Sequence, residues 1–170
     1  MSVFITKSGK NFSFLMLSWK MGGVLPRMPR ELGAKSVTFF KGSFRRKGWL
    51  DKTLDKWKKR KHEGPRDKNR AILIKRGHLR NSIRIMSADR HSVVIGSNLP
   101  YATIHNYGES GTATVRSHTR RTPSGGTTTV RAHTRAFEMP QRQFMGESEA
   151  LDQIIGKQIT DMIDSVFRID

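Results

Sequence analysis

A tandem repeat with a period of 15 residues constrains the fold more than any other feature of the sequence. Residues 112–120 read TATVRSHTR and residues 127–135 read TTTVRAHTR, and the segment between them, RTPSGG, has the composition of a turn. Thr and Val favour strands, so two such runs around a Pro/Gly turn predict a β-hairpin. We therefore expect an antiparallel hairpin over residues 109–137.

The repeat also predicts how the two strands of this hairpin pair. If Arg120 lies opposite Thr127, Arg116 lies opposite Arg131, and one face becomes cationic while the other is small and weakly apolar. A two-stranded hairpin is not stable alone in water, and arginines directly opposite each other repel. We therefore expect an ordered partner, either a polyanion or acidic groups of a neighbouring subunit; a solvated arm is the alternative. The arginines expected at this contact are Arg116, Arg120, Arg131 and Arg135.

Charge is distributed unevenly along the chain. Lys and Arg number 32 against 14 acidic residues, which gives a formal net charge of +18. Residues 41–90 hold 18 basic and 5 acidic residues, net +13, whereas residues 136–170 hold 3 basic and 7 acidic residues, net −4. A basic body and an acidic end predict partners of opposite sign, such as nucleic acid and another copy of the chain. A basic surface that only aids solubility is the alternative.

Apolar spacing predicts two helices in the first third of the chain. Over residues 29–46 the apolar side chains fall on one arc of a helical wheel, which indicates a helix facing the core. Leu50, Leu54 and Trp57 are spaced i, i+4 and i+7, which predicts a second helix over residues 50–61. The cations of this helix expected to contact a polyanion or a neighbour are Lys56, Lys59 and Arg60.

The regions on either side of these helices show weaker patterns. Residues 1–28 are expected to form a polar N-terminal extension with a short helix at residues 12–20. A single helical turn is expected at residues 79–83. Apolar and polar residues then alternate, which predicts that residues 84–86 and 92–96 form a hairpin.

The C-terminal segment is the clearest helix. Ser148 can cap its N-terminus, and apolar residues follow i, i+3, i+4 spacing across residues 147–168. Together these elements predict one α+β domain over residues 1–170. It would consist of N-terminal helices, a small antiparallel sheet with a protruding β-hairpin, and a long C-terminal amphipathic helix.

Patterns that carry catalysis or metal binding are missing from the sequence. It has no cysteine, its six histidines show no metal-ligand spacing, and it contains neither a phosphate-binding glycine loop nor a GxSxG elbow. Asp51 and Asp55 are four residues apart, which is a weak pattern for a metal-dependent nuclease. We expect no enzymatic activity, no cofactor and no bound metal. No apolar run approaches about 20 residues, so no membrane partner is expected.

Three segments occur in a distinctive order: RAILIKRGHLRNSIRI at 70–85, VIGSNLPYATIHNYG at 94–108 and MPQRQFMGES at 139–148. Together these three segments, which we call the matching blocks, resemble the phage virion morphogenesis family, the tail-completion proteins of Mu-like phages and prophages. The resemblance covers about residues 30–168. Arg76 departs from this pattern, which commonly has Thr there, and residues 109–137 are an insertion. The matching positions are Gly77, Leu79, Ser82, Gly96, Tyr101, Ala102, Ile104, His105, Gly108, Pro140, Arg142, Phe144, Gly146 and Ser148.

The resemblance implies a structural role in finishing the tail or joining it to the head. It implies a homo-oligomeric ring, coaxial with the DNA channel, in the neck or upper tail of the virion, assembled in the host cytoplasm. Expected partners are other copies, other neck or tail proteins, and DNA in the channel. The rival hypothesis is a monomeric basic nucleic-acid-binding protein, which the charge favours, although no known nucleic-acid-reading motif is present.

The matching residues also suggest local roles. Gly77 and Gly146 are expected in turns, and Tyr101 and His105 can pack at i, i+4 spacing if their segment is helical. Phe144 would anchor the segment before the last helix, where Arg142 could form a pair. Whether these positions contact other subunits or only stabilise the monomer is left open by the sequence.

Overall fold

Helices and two-stranded antiparallel sheets make up the described part of the computed structural model, residues 4–7, 10–13, 21–60 and 70–167. This architecture confirms the predicted α+β class. The helices are α1 (Met28–Arg46), α2 (His78–Ser82), α3 (Tyr101–Tyr107) and α4 (Glu149–Phe167). The strand pairs are β1 (Phe4–Lys7) with β2 (Lys10–Ser13), β3 (Gly48–Leu50) with β4 (Leu54–Lys56), β5 (Arg84–Ala88) with β6 (Val93–Gly96), β7 (Glu109–Val115) with β10 (His133–Met139), and β8 (His118–Arg121) with β9 (Thr127–Val130).

The first helix confirms the prediction for residues 29–46. Pro29 lies in its first turn, where the missing N–H is not needed, and the helix stops where Lys47 adopts a left-handed conformation with φ 56°. Phe39, Phe40 and Phe44 are buried along one side. This side of α1 forms one wall of the core.

The helix predicted over residues 50–61 is wrong, because β3 and β4 occupy this region as a tight hairpin. The spacing of Leu50, Leu54 and Trp57 matches a helical face by coincidence, and only Trp57 of the three is fully buried. A Cβ at Gly48 would lie 2.4 Å from the backbone oxygen of Asp55, so this close pairing requires glycine.

The N-terminal expectations are only partly covered by the structure. Within the expected polar extension, where only a helix at residues 12–20 was predicted, β1 pairs antiparallel with β2. Residues 12–13 of the expected helix at 12–20 belong to β2, and residues 14–20 lie outside the described part. Gly22 and Gly23, which follow the expected helix in the sequence, lie within a helical turn over residues 21–24.

The centre of the chain follows the prediction. Residues 78–82 form α2, and β5 pairs with β6 with a register shift between Ile85 and Ser87. The segment 101–107, left unassigned from the sequence, is α3, which begins after Pro100 and ends at Gly108. This short helix lies in the matching block at residues 94–108 and buries Ala102 and Asn106.

An aromatic cluster forms the centre of the core. The Phe44 ring packs 5.5 Å from Trp57 and 5.3 Å from Phe144, measured between ring centroids. Phe44 and Phe144 are each 1% exposed. Residues from α1 and β3, Trp57 just after β4, and residues of the segment before α4 therefore meet in one cluster.

The C-terminal helix confirms the strongest sequence pattern, since α4 runs over 19 residues with Leu151, Met162 and Val166 buried. It packs along α1, and its far end contacts Val24 and Met28 in a second apolar cluster. Among the described residues, no helix combines the length and apolarity that crossing a bilayer requires.

The repeat forms the predicted hairpin, but the predicted register is wrong by one residue. Arg121, not Arg120, pairs with Thr127, and Arg120 pairs with Thr128. The reason is the turn: the Thr122 N–H and hydroxyl both donate to the Gly126 carbonyl, at 2.7 and 3.1 Å, which draws Arg121 into the ladder. We call residues 109–139 the arm. Its ladder is interrupted at residues 116–117 and 131–132.

Candidate functional site

The segment before α4 is fastened to α3 by one amide side chain. Asn106 Oδ1 accepts hydrogen bonds from the backbone N–H groups of Phe144 (2.9 Å) and Met145 (3.0 Å). Its Nδ2 donates to the Met145 carbonyl at 3.0 Å. Asn106 is 5% exposed, so these bonds are shielded from water. The amide thereby pairs with the segment as a neighbouring strand would.

The same segment is tied to the chain that follows β4. The Trp57 indole N–H donates to the Gln143 carbonyl at 2.7 Å. The Arg142 guanidinium donates from Nε and Nη2 to the Lys58 carbonyl at 3.2 and 3.1 Å. Arg142 was expected to form a pair, and among the described residues its side chain bonds to backbone carbonyls instead of a carboxylate. Burial, and secondarily the charge of Arg60, lowers the pKa of Arg142.

The start of α4 is held by a serine at its own N-terminus and by residues of the hairpin of β3 and β4. Ser148 Oγ accepts a hydrogen bond from the Leu151 N–H at 3.2 Å, which confirms the predicted N-cap, and donates to the Leu50 carbonyl at 2.7 Å. The Asp51 carboxylate accepts a bond from the Glu149 N–H at 2.7 Å. The turn between β3 and β4 therefore sets the starting point of α4.

Gly77 and Gly108, both in the matching blocks, have backbone conformations that side chains disfavour. Gly77 has φ +75° and stands at the N-terminus of α2, which confirms its predicted place in a turn. Gly108 has φ +77°, and a Cβ there would lie 2.9 Å from the Gln141 backbone nitrogen. The close approach at Gly108 lets the Arg142 N–H reach the His105 carbonyl at 2.8 Å.

A cavity of about 560 Å³ opens beside this network. Its apolar lining consists of Ile72, Leu73, Ile74 and Leu79, and Leu73 has an unfavourable φ of +57°. None of the described residues that line it is acidic. We call it the cationic cavity; its basic lining residues are Arg60, Arg70, Lys75, Arg76, His78, His105 and Arg142.

Tyr101 and His105 pack edge to face at the wall of this cavity, with ring centroids 6.0 Å apart. This contact confirms the predicted i, i+4 packing. The His105 Nδ1 is buried and finds no hydrogen-bond partner among the described residues. Burial, and secondarily the charge of Arg142, lowers the pKa of His105, which favours the neutral ring.

The remaining positions from the matching blocks serve the fold. Leu79 is 4% exposed in the core, and Ser82 Oγ shares a 2.7 Å hydrogen bond with Ser97 Oγ, which joins α2 to the end of β6. Pro140 begins the segment that leads from β10 to α4, and Gly146, with φ +150°, lies in that segment. Phe144 anchors it, as predicted.

The three cations predicted on the second helix, Lys56, Lys59 and Arg60, differ in their exposure to solvent and in their hydrogen bonds. Lys56 is exposed on β4, and Lys59 is exposed just after it. The Arg60 guanidinium donates to the carbonyls of Arg70 and Ala71 at 2.8 and 2.7 Å, so it holds the far wall of the cationic cavity. Exposure leaves the two lysines open to solvent, whereas Arg60 has a structural role.

The arginines of the arm do not share one face, contrary to the sequence prediction. Arg120 and Arg121 are consecutive in β8 and therefore point to opposite faces of the hairpin. Arg116 and Arg131 lie at the interruption of the ladder, and the expected pairing of these two residues is absent from the observed register. Arg135 pairs with Ala113 in the base of the arm.

The outer side of α4 carries the opposite charge. Asp152, Asp161 and Asp164 are exposed on it, and Lys157 is the one exposed cation among the described residues of this helix. Ile154 and Phe167 are also exposed, by 42% and 49%. We call the exposed surface formed by Ile154, Asp161, Asp164 and Phe167 the acidic face.

Some contributors to this network were missed by sequence reasoning. Asn106 stands inside a matching block, but its spacing carries no signal that its amide replaces a strand. The bond from Asp51 to the Glu149 N–H joins residues 98 positions apart, which no local pattern encodes. Trp57 was expected on a helix and instead donates across the core.

Among the described residues, no cluster of three His, Asp or Glu side chains could hold a metal ion. The buried polar groups of the network bond mainly to backbone atoms, which fixes the chain path.

The sequence was compared with known proteins in three ways. The model of the phage virion morphogenesis family matches residues 46–164, more than two thirds of the chain. No curated protein and no solved structure matches. The matched region contains β3, β4 and the network of Trp57, Asn106, Arg142 and Ser148. The chain belongs to the phage virion morphogenesis family.

Proposed function

We propose that this protein is a structural subunit of the virion that completes the tail or joins it to the head. It acts as a homo-oligomeric ring in the neck or upper tail, together with other neck or tail proteins, and assembles in the host cytoplasm. Family membership supports the role in virion morphogenesis. The observation that carries the ring is the presence of two complementary surfaces on different elements of one chain.

The two surfaces are the acidic face and the cationic cavity. Asp161 and Asp164 present two carboxylates beside the exposed Phe167, so this face offers both charge and an apolar side chain. The cavity offers the matching combination, with Lys75 and Arg76 exposed at its edge and apolar side chains beneath them. In the proposed contact, the acidic face of one copy docks at the cationic cavity of the next.

Such a contact is head-to-tail, because the two patches are different surfaces of the same chain. A head-to-tail contact generates a ring whenever its rotation closes. Exposed ion pairs contribute little individually and are screened by salt, so the apolar side chains must supply part of the affinity. The ring is therefore expected to weaken, but not to vanish, as the salt concentration rises.

Charge reversal tests this contact. Light scattering of the purified protein at two salt concentrations should give a discrete multimer, or a monomer that forms rings on concentration. Asp161→Lys with Asp164→Lys should weaken association at least about tenfold through like-charge repulsion, as should Lys75→Glu with Arg76→Glu. Mixing the two variants should restore association, because the native acidic face of one meets the native cavity of the other, and the reversed face meets the reversed cavity.

A matched control reverses two other exposed acids, Asp55→Lys with Glu109→Lys, and should leave the mass unchanged. A strict monomer at every concentration, with or without a tail template, would contradict the ring. The second candidate is a monomeric nucleic-acid-binding protein, which the exposed arginines of the arm favour. A monomer that binds DNA with a strong salt dependence would support this candidate instead.

A further inference from the structure

The arm is positively charged over residues 112–135, as an element that binds a polyanion would be. Between residues 112 and 135 there are five arginines, two histidines and no acidic residue. Most side chains in this stretch are exposed, and only Val115, Thr122 and Val130 are partly buried. The arm packs chiefly on itself, through the pairing of β7 with β10 and of β8 with β9.

The observed register decides what kind of partner the arm fits. With arginines on one face only, the arm would suit a flat acidic surface of a neighbouring subunit. Arg120 and Arg121 instead point to opposite faces near the tip. A flat partner could satisfy only one of them, whereas a partner that surrounds the arm with negative charge satisfies both.

We infer that the arm binds in the major groove of duplex DNA. That groove is about 12 Å wide and admits a two-stranded β-ribbon, and its walls are lined by phosphates on both sides. A strand layer with its side chains takes up about 10 Å across its two faces, so a ribbon that stands on edge in this groove places the arginines of its two faces against the two walls. Threonine hydroxyls, abundant in both repeats, are further donors to phosphate oxygens.

The length of the arm allows such an insertion. From Glu109 to Arg121 the outgoing strand spans at most about 44 Å at 3.4 Å per residue, well beyond the depth of the groove. The interruption at residues 116–117 and 131–132 lies midway along it. At this point the ladder bonds are missing, so the outer hairpin of β8 and β9 can change its angle to the base.

Duplex RNA fits this geometry poorly. Its major groove is deep and too narrow for side chains to read, and single strands lack two phosphate walls. The arm also has no Phe, Tyr or Trp between residues 112 and 135 on which unpaired bases could stack. The inference does not require the ring, because a single copy carries the complete arm.

The test is DNA binding by the full chain, measured by fluorescence anisotropy on a labelled B-form duplex over a range of salt. The variant replaces five arginines by glutamine: Arg116, Arg120, Arg121, Arg131 and Arg135. If all five contact phosphates, the slope of log K against log salt should fall in magnitude by about 4 to 5. The matched control removes five exposed cations elsewhere in the same way: Arg30, Lys35, Arg45, Arg84 and Arg90.

The expected result is a large loss of slope in the arm variant, a smaller loss in the control, and weaker binding of duplex RNA and single-stranded DNA at equal salt. Equal losses in the two variants would overturn the inference, since binding would then be general attraction to a basic surface. Equal affinity for the three nucleic acids would also overturn it. Unchanged DNA binding by the arm variant, with a reduced multimer mass, would assign the arm to a neighbouring subunit instead.

Discussion

Asn106→Ala is the change that most directly tests how the matching blocks hold the fold. It removes three hydrogen bonds of 2.9–3.0 Å and leaves the Phe144 and Met145 N–H groups without their acceptor. A buried N–H or C=O group that loses its hydrogen-bond partner destabilises the fold by about 1–3 kcal/mol. A typical intramolecular hydrogen bond contributes a net stabilisation of about 0.5–1.5 kcal/mol. Since the Phe144 N–H is buried and Met145 is partly buried, we expect a total loss of about 2–6 kcal/mol.

Urea unfolding followed by tryptophan fluorescence measures this loss, because Trp57 lies in the same core. A protonated carboxyl at this position would keep an acceptor for both N–H groups and a donor to Met145, so Asn106→Asp should cost less than Asn106→Ala at low pH and more once the buried carboxyl ionises. Thr103→Ala, an exposed change on the same helix, is the control and should cost under about 0.5 kcal/mol. An Asn106→Ala loss below about 1 kcal/mol would refute the claim that this amide fastens the segment.

Three further changes probe the same region. Ser148→Ala removes the cap of α4 and the donor to Leu50, so the free energy of unfolding should fall by about 1–3 kcal/mol; an unchanged urea midpoint would contradict the cap. Phe144→Ala empties a fully buried site and should cost about 3–5 kcal/mol in the same assay, and a loss under about 1 kcal/mol would show that the cluster does not need this ring. His105 has a lowered pKa in the fold, so protonation favours the unfolded chain, and stability should fall as pH drops below the unfolded value of about 6.5. His105→Gln should reduce that fall between pH 7.5 and 5, and an identical pH profile in the variant would exclude this residue as its source.

Regular apolar spacing over long segments predicted the fold well. The helices over residues 28–46 and 149–167 each bury one side against the other elements. Apolar residues therefore recur in their sequences with the helical period. The hairpin of β5 and β6 was also predictable, because its residues alternate. Ser148 was recognisable as a cap since its role depends only on the residues that follow it.

The failures occurred where distant parts of the chain decide the structure. Leu50, Leu54 and Trp57 have helical spacing, but the close backbone approach at Gly48 and the hydrogen bond from the Trp57 indole to the distant Gln143 carbonyl favour a hairpin. The register of the arm depends on the Thr122 N–H and hydroxyl, which both donate to the Gly126 carbonyl and close a five-residue turn where six residues were expected. Residues of the candidate site were found through the matching blocks, but their partners were not.

The base of the arm has a consequence for how such proteins diversify. Glu109 pairs with Met139, so the chain leaves the body and returns to it at neighbouring points. Everything between those points can be lengthened, shortened or recharged while α3 and the segment before α4 keep their positions. Sequence changes that alter what the arm binds can therefore arise almost independently of changes in the core.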